Sequence, residues 1–171
     1  AFNLDNTILR SKDEPFSHEG GLRLLSGNLG RSVSKISAIA AEHRYVKAPA
    51  SVFHSQDEVL AAYKEGKLNH DVVVVLKYQG PKANGMPELH GLTPALASLQ
   101  DQGYKVALVT DGRMSGASGK VPNAIHMTPE ALSGGNFAKV IDGDIIELDL
   151  ENGTLELYVS DDELAKRIEN T

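Results

Sequence analysis

A run of four valines and a leucine, Val72–Leu76, places the strongest restriction on how this chain can fold. The run does not alternate between apolar and polar residues, and valine favours strands because its branched side chain packs well on a pleated surface. A strand of this kind is typical of a sheet that is buried on both faces. A second short apolar run, residues 105–109, has the same character. The two runs therefore predict buried strands in a domain that also contains helices.

Helix starts can be recognised in the middle of the chain. Ser55 and Glu58 fit a capping box, which predicts a helix that ends at Gly66. Thr93 as the N-cap and Pro94 in the first turn predict the start of a second helix. Two further short helices are predicted, one beginning at residues 128–130 and one at residues 161–168.

The last third of the chain reads mainly as strands. Asp142-Gly143 and Asn152-Gly153 are typical of hairpin turns, because both favour a positive φ. Strands are predicted at residues 22–25, 33–40, 137–141, 145–150 and 154–159. Together with the buried runs, they indicate a mixed α/β or α+β domain, with a closed barrel flanked by helices as one solution. The length of 171 residues fits a single domain.

Charge and cysteine content exclude several classes of function. Acidic residues outnumber basic ones by 23 to 17, so the net charge is −6 and the surface does not favour nucleic acid or anionic membranes. The chain has no cysteine, which excludes disulfides, a cysteine nucleophile and an iron–sulfur cluster bound by its own thiolates. We expect a cytoplasmic protein without nucleic-acid or membrane partners. Because the sequence starts at Ala1 without a methionine or a signal peptide, we interpret it as part of a longer protein.

Two glycine-rich loops, residues 78–90 and 110–122, follow the two predicted buried strands. Ligands bind at the carboxyl ends of strands in α/β sheets, and glycines let backbone N–H groups approach an anion closely. Lys82, Arg113 and Lys120 add positive charge for a phosphate or a carboxylate. The second loop is neither a P-loop nor a nucleophile elbow, and no pair of histidines has the spacing of zinc ligands.

Each candidate residue also has a purely structural explanation. Ser115 has the features of a solvated turn hydroxyl, and Glu88 those of a surface charge. Asp111 can bond to backbone amides of its own turn. His126, between two apolar residues, favours a packed core histidine over a catalytic one. From these residues alone, the chain predicts no more than a site for an anion or a sugar acid.

The loops and several other motifs resemble the C-terminal domain of the dihydroxy-acid dehydratase and 6-phosphogluconate dehydratase family. Residues 82–90 and 113–122 resemble the phosphogluconate branch, because the other branch usually has Phe at the position of Met114. The matching motifs follow the family order along nearly the whole chain: Gly20-Gly21-Leu22, Gly27-Asn28-Leu29, Gly80-Pro81-Lys82, Gly85-Met86-Pro87-Glu88, Thr110-Asp111-Gly112-Arg113-Met114-Ser115-Gly116, Pro129-Glu130-Ala131, Gly134-Gly135, Asp142-Gly143-Asp144-Ile145-Ile146 and Val159-Ser160-Asp161-Asp162-Glu163-Leu164.

The resemblance implies a fold and a reaction. The fold is a swivelling β-barrel with flanking helices, here a single C-terminal domain over residues 1–171 that packs on a larger N-terminal domain and belongs to a homodimer. That N-terminal domain would carry the cysteines of a [4Fe–4S] or [2Fe–2S] cluster and most ligands of a Mg²⁺ ion. The reaction is the dehydration of 6-phospho-D-gluconate to 2-keto-3-deoxy-6-phosphogluconate, a step of the Entner–Doudoroff pathway, and we expect the isolated domain to be inactive.

The resemblance also implies roles for individual residues. Ser115 matches the catalytic serine, which is proposed to remove the C2 proton as an alkoxide. Glu88 matches the position that supplies a carboxylate ligand to Mg²⁺, a cation that prefers hard oxygen donors. The residues expected to shape the substrate site, or to hold its phosphate, are Asp111, Gly112, Arg113, Gly116, Lys82, Lys120 and His126.

Two other interpretations remain open from the sequence. In the first, the chain still belongs to a dehydratase, but the substrate is a branched-chain 2,3-dihydroxy acid or an unphosphorylated aldonate. In the second, the chain is a non-catalytic module for binding or oligomerisation. Activity on competing substrates separates the dehydratases from one another, whereas weak substrate binding by the isolated chain excludes none of them.

Overall fold

Eight strands form a closed barrel in the computed structural model, which describes residues 5, 7–115 and 119–167. The strands are β1 (Leu22–Gly27), β2 (Gly30–Lys35), β3 (Tyr45–Phe53), β4 (Val72–Leu76), β5 (Val106–Thr110), β6 (Asn123–Thr128), β7 (Ile145–Asp149) and β8 (Thr154–Leu157). The α-helices of this part of the chain are α1 (Gln56–Lys64), α2 (Pro81–Asn84), α3 (Leu92–Asp101) and α4 (Asp161–Lys166). The order around the barrel is β1-β2-β6-β5-β4-β3-β7-β8, and β8 returns to β1. The predicted mixed α/β class and the barrel with flanking helices are confirmed.

One half of the barrel is parallel and buried on both faces. In this half β4 lies between β3 and β5, and β5 pairs in turn with β6. Val73 and Val75 belong to the core inside the barrel, whereas Val72 and Val74 belong to a second core that includes Leu96 of α3. Since all five residues of β4 are buried, the predicted buried strand is confirmed. Helices on its outer face explain why the run needs no polar residues.

The other half is antiparallel and buried mainly on its inner face. It consists of the hairpins β1–β2 and β7–β8, and Asn152-Gly153 forms the predicted turn of the second hairpin. Leu155 and Leu157 point into the core. Leu24 points outward and is 78% exposed. This half therefore keeps the alternation that the parallel half lacks.

The strand β3, which was not predicted, joins the two halves. Its first part, up to Pro49, pairs antiparallel with β7. From Ala50 onward it pairs parallel with β4. Proline has no backbone N–H to donate, so Pro49 suits the point where the strand changes partner.

The predicted strand at residues 137–141 is wrong. The segment begins with a 3₁₀ helix and then runs extended without a strand partner among the described residues. The side chains of Phe137 and Val140 are buried in the barrel core, which explains the strand-like composition. Lys77 Nζ donates to the carbonyl oxygens of Ala138 and Val140, each at 2.7 Å, and so replaces the partners that a neighbouring strand would supply.

Other predicted boundaries differ because apolar residues are drawn into a core. The helix α3 starts after Gly91, two residues before the predicted cap Thr93, and this buries Leu92 completely. The predicted strand at residues 33–40 is correct only to Lys35, the end of β2. The chain turns there, which buries Ile36 and Ile39 in the barrel core.

Two predicted turn and helix signals also have a different outcome. Residues 128–130 do not begin a helix directly: Thr128 ends β6, and a 3₁₀ helix follows at Ala131–Ser133. Asp142-Gly143 forms a turn before β7 but joins no hairpin. The capping box of α1 is confirmed, since Ser55 Oγ accepts from the N–H of Glu58. No helix in the described ranges is long and apolar enough to cross a membrane.

Candidate active site

Loops that follow β4, β5 and β6 meet at the carboxyl edge of the parallel strands. They surround a cleft of about 540 Å³. Residues from all three loops and from β6 itself line it, among them Pro81, Met86, Arg113, His126, Glu130 and Ser133. Both predicted glycine-rich loops therefore border one cavity, at the edge where α/β sheets bind ligands.

Asp111 connects the three loops. Its side chain is buried, and its carboxylate accepts the backbone N–H groups of Tyr78 at 3.2 Å, Gln79 at 2.8 Å and Ala131 at 2.9 Å. Burial raises the pKa of Asp111, whereas the three N–H groups oppose that change because they stabilise the charged form. The contacts thus support a structural role for Asp111, although these bonds go to the amides of two other loops and not to its own turn, and a role in binding substrate stays a prediction.

Gly112 permits close packing beneath the cleft. A Cβ atom at this position would lie 2.8 Å from Gln79 Cβ and 2.8 Å from Leu89 Cδ1. Its carbonyl oxygen accepts the backbone N–H of His126 at 2.9 Å, which ties the loop after β5 to β6. The residue type is therefore required by space, and substrate contact by Gly112 stays a prediction.

Glu88, Arg113 and Ser115 form a connected group, of which Arg113 lines the cleft. Arg113 Nη1 donates to Glu88 Oε2 at 2.7 Å, and the backbone N–H of Ser115 donates to Glu88 Oε1 at 2.6 Å. Arg113 Nε also donates to the carbonyl oxygen of Met86 at 2.8 Å. The structure thus brings together the predicted base and the predicted metal ligand, which are 27 residues apart in the chain. Gly116, the other predicted site residue of this loop, lies outside the described residues.

The two lysines predicted from the loops lie in different places. Lys82 is at the rim of the cleft, with Nζ 3.4 Å from Ser133 Oγ. Its backbone N–H donates to the carboxylate of Glu130 at 3.0 Å. Lys120 pairs instead with Asp101 at the end of α3 and is absent from the described cleft lining.

His126 is exposed at the cleft, and the interpretation of it as a packed core histidine is wrong. Between the pairs Arg31–Thr128 and Val33–Ile125, two residues of β6 lie opposite one residue of β2. His126 has a φ of +55° within this bulge. Bulges of this kind redirect a side chain, and here the apolar neighbours stay buried while the imidazole turns outward.

Lys35 is a residue of this region that the sequence reasoning missed. Its Nζ donates to the carbonyl oxygen of Met114, immediately before Ser115. Partial burial of the ring and the positive charges of Lys35 and Arg113 lower the pKa of His126. No local signal marks Lys35, because 79 residues separate it from its partner.

Backbone strain is concentrated around the same cleft. Tyr78, Met86 and His126 have φ values of +60°, +54° and +55°, and no other described residue apart from glycine has a positive φ. Such conformations are costly for residues with a side chain and cluster at functional sites. Each of the three lies in or beside a loop that borders the cleft.

The described residues offer only part of a metal site. They contain no group of three or more His, Cys, Asp or Glu side chains that could hold an ion. Glu88 has two hard oxygen donors and fits a single ligand position for Mg²⁺. A cluster has no thiolate ligand in this chain, because its 171 residues include no cysteine.

Comparison with known proteins gives consistent matches. A family model described as dihydroxy-acid/6-phosphogluconate dehydratase, C-terminal, matches residues 7–171. The phosphogluconate dehydratases of Pseudomonas aeruginosa and Zymomonas mobilis are 59% and 60% identical over 165 and 159 residues, which are 96% and 93% of this chain. The phosphogluconate dehydratase of Escherichia coli is 57% identical over 165 residues. The chain spans only 26–27% of the length of these relatives.

Proposed function

The chain belongs to the dihydroxy-acid/6-phosphogluconate dehydratase family, whose C-terminal domain it matches, and on this basis we propose that it is part of a 6-phosphogluconate dehydratase. The single structural observation that supports this activity is the bond from the backbone N–H of Ser115 to the carboxylate of Glu88 at 2.6 Å. It supports the proposal because the backbone of a serine contacts a carboxylate that could bind a cation. A dehydration next to a carboxylate needs both groups.

The proposed reaction is the loss of water from C2 and C3 of 6-phospho-D-gluconate. The C2–H bond breaks, the proton passes to the Ser115 alkoxide, and the electron pair is delocalised into the adjacent carboxylate. This pair then forms the C2–C3 double bond as the C3–O bond breaks, and the departing hydroxide leaves as water after taking up a proton. The enol that results tautomerises to the C2 ketone.

Ser115 needs a positively charged environment for this role, because a free serine hydroxyl is far too weakly acidic to exist as an alkoxide near neutral pH. Arg113 donates to Glu88 Oε2, the carboxylate oxygen that Ser115 does not contact, and Lys35 donates to the carbonyl oxygen of Met114. Both side chains therefore bring positive charge to the backbone around Ser115.

Glu88 is the residue of this chain that would bind Mg²⁺. The bound cation would stabilise the negative charge that develops at the substrate carboxylate when the C2 proton leaves. The remaining ligands, and all ligands of an iron–sulfur cluster, would come from the part of the protein outside this chain. We accordingly propose a cytoplasmic homodimer in which an N-terminal domain completes the site, and an inactive isolated domain.

The first test is a substrate comparison with the full-length protein, purified without oxygen. We expect it to dehydrate 6-phosphogluconate in clear preference to gluconate and 2,3-dihydroxyisovalerate. Ser115→Ala lowers kcat by about 10²–10⁴-fold with its metal content intact. Ser26→Ala, an exposed serine on β1 in the other half of the barrel, serves as the matched control and retains activity.

Two outcomes would contradict parts of this proposal. A preference for 2,3-dihydroxyisovalerate removes the phosphogluconate assignment but leaves a dehydratase. Substantial activity in Ser115→Ala removes the serine as base and directs attention to Asp111 or His126.

A further inference from the structure

We propose that His126 and Lys35, with Arg113 beside them, form the subsite that binds the phosphate of the substrate. This inference rests on the proposed function and adds to it the residues that distinguish a phosphorylated from an unphosphorylated sugar acid. Lys35 belongs to β2, His126 to β6 and Arg113 to the loop after β5. His126 and Arg113 line the cleft, and Lys35 lies near them, with its Nζ on the carbonyl oxygen of Met114.

The bulge in β6 gives His126 the orientation that a ligand contact needs. A regular strand would alternate through Ile125, His126 and Met127, and the imidazole would then face the barrel interior. Instead Ile125 is buried in the core beneath the helices and Met127 in the barrel core, while His126 lines the cleft. The positive φ of His126 shows that the backbone accepts strain to produce this arrangement.

Of the two cations near His126, Arg113 is paired with Glu88, so Lys35 is the one whose charge has no carboxylate partner among the described residues. The ammonium group of Lys35 donates instead to the carbonyl oxygen of Met114. The acidic residues that line the same cleft are Asp111 and Glu130, and both carboxylates accept backbone N–H groups. A phosphate with two negative charges would relieve the repulsion between the imidazole and its basic neighbours.

The alternative lysines fit less well. Lys120 is paired with Asp101 at the end of α3, so its charge is already balanced. Lys82 lies at the rim, and its Nζ is 3.4 Å from Ser133 Oγ. The structure thus favours His126 and Lys35 over the lysines that the glycine-rich loops suggest.

The first experiment measures the pKa of His126 by NMR in the chain, with and without inorganic phosphate at constant ionic strength. His126→Gln assigns the signal. We expect phosphate to raise the pKa of His126 by about one unit. Lys35→Met reduces this rise to less than half of the wild-type value, whereas Lys64→Met, an exposed lysine at the end of α1, leaves it unchanged.

Three results would overturn the subsite. The first is a pKa that phosphate does not move. The second is a rise that Lys35→Met leaves intact or that Lys120→Met removes. The third is an equal rise with gluconate, since the group would then bind the carboxylate end of a substrate.

The second experiment uses steady-state kinetics of the full-length protein with 6-phosphogluconate. Lys35→Met and His126→Gln raise KM by about ten-fold or more, since each removes a charge-assisted contact. His126→Gln changes kcat less, whereas Lys35→Met also lowers kcat, because Lys35 brings positive charge to the backbone around Ser115. Lys35→Arg restores most of the affinity because it keeps the charge. A loss of kcat with unchanged KM in Lys35→Met contradicts the subsite and leaves Lys35 only its proposed effect on Ser115.

The two experiments separate this inference from the proposed function. If the wild-type protein dehydrates 6-phosphogluconate and the variants keep its KM, the subsite is wrong and the function stands. If the protein does not act on 6-phosphogluconate, the proposed function fails, and the phosphate titration still reports directly on His126.

Discussion

The parallel and antiparallel halves of the barrel differ in what covers their outer faces. Val74 of β4 and Leu24 of β1 both point away from the barrel interior, yet Val74 is fully buried and Leu24 is 78% exposed. The parallel strands are linked by crossover connections, and those from β3 to β4 and from β4 to β5 contain α1 and α3, which pack over the strands. The antiparallel strands are linked by short turns that cover nothing. Connection type therefore decides which apolar side chains stabilise the domain.

The same difference explains where the candidate site lies. Crossover connections leave the carboxyl ends of β4, β5 and β6 at one edge, so their long loops converge on the cleft. The hairpin turn at Asn152-Gly153 is too short to contribute a comparable loop. The half with the more completely buried strands is thus also the half with the irregular and strained backbone.

The largest effect expected from this comparison comes from placing a charge on each outer face. Val74→Asp puts a carboxylate into the core beneath α1 and α3, and we expect a loss of more than about 4 kcal/mol or failure to fold. Leu24→Asp changes stability by less than about 0.5 kcal/mol, because the side chain already contacts solvent. Urea unfolding followed by circular dichroism measures both. Similar losses in the two variants would show that the faces do not differ as described.

An intermediate effect is expected from Lys77, a charge buried in the parallel half. Burial lowers the pKa of Lys77 to about 8 from 10.5, although the nearby Asp144 opposes the change. Between these two values the unfolded chain holds the proton that the folded chain has released. Stability therefore rises as the pH increases from about 8 to about 10.5, by up to roughly 3 kcal/mol.

Urea unfolding at a series of pH values tests this dependence. Lys77→Met should remove the rise between pH 8 and 10.5, whereas the exposed Lys64→Met should keep it. A wild-type stability that falls steadily through this range, with no difference from Lys77→Met, contradicts the assignment.

The smallest effect is expected from a polar cluster around Glu147, on the outer face of the antiparallel half. Glu147 Oε2 accepts the hydroxyl groups of Tyr45 and Tyr158, both at 2.9 Å, and lies 3.5 Å from Lys47 Nζ. Solvent competes for each of these contacts, so Glu147→Gln should cost about 0.5 kcal/mol, less in high salt. Thermal unfolding at two salt concentrations measures it. A loss of stability above about 2 kcal/mol would mean that the outer face of the antiparallel half is less solvated than its exposure indicates.

Local patterns in the chain predicted a strand that is buried on both faces and a helix start that a local hydrogen bond stabilises. The buried run Val72–Leu76 needed only its composition, and the capping box at Ser55 needed only its spacing. The prediction of a strand at residues 137–141 is wrong because the hydrogen-bond partner of this segment is distant in sequence. Its apolar residues fill the barrel, and Lys77, which lies 61 residues before Ala138, donates to the Ala138 carbonyl oxygen. The composition of this segment fits a strand as well as a buried 3₁₀ turn followed by extended chain, and only the hydrogen-bond partners separate the two.

The candidate site was also predicted only in part from the sequence. Glu88, Arg113 and Ser115 were singled out by motif resemblance, and the structure brings them into contact. The prediction for His126 is wrong because its apolar neighbours Ile125 and Met127 are both buried while the imidazole between them is exposed. The bulge that produces this arrangement arises from the pairing of β6 with β2, more than 90 residues earlier in the chain.

Composition, apolar runs and turn residues were enough to establish a mixed α/β domain without cysteine chemistry, because each of these properties belongs to a short stretch of chain. The convergence of Lys35, Arg113 and His126, and the bracing of three loops by Asp111, depend on strand order and on a one-residue change of register. Those properties exist only when segments far apart in sequence meet. For this reason the charge distribution of the cleft became visible only in the folded barrel.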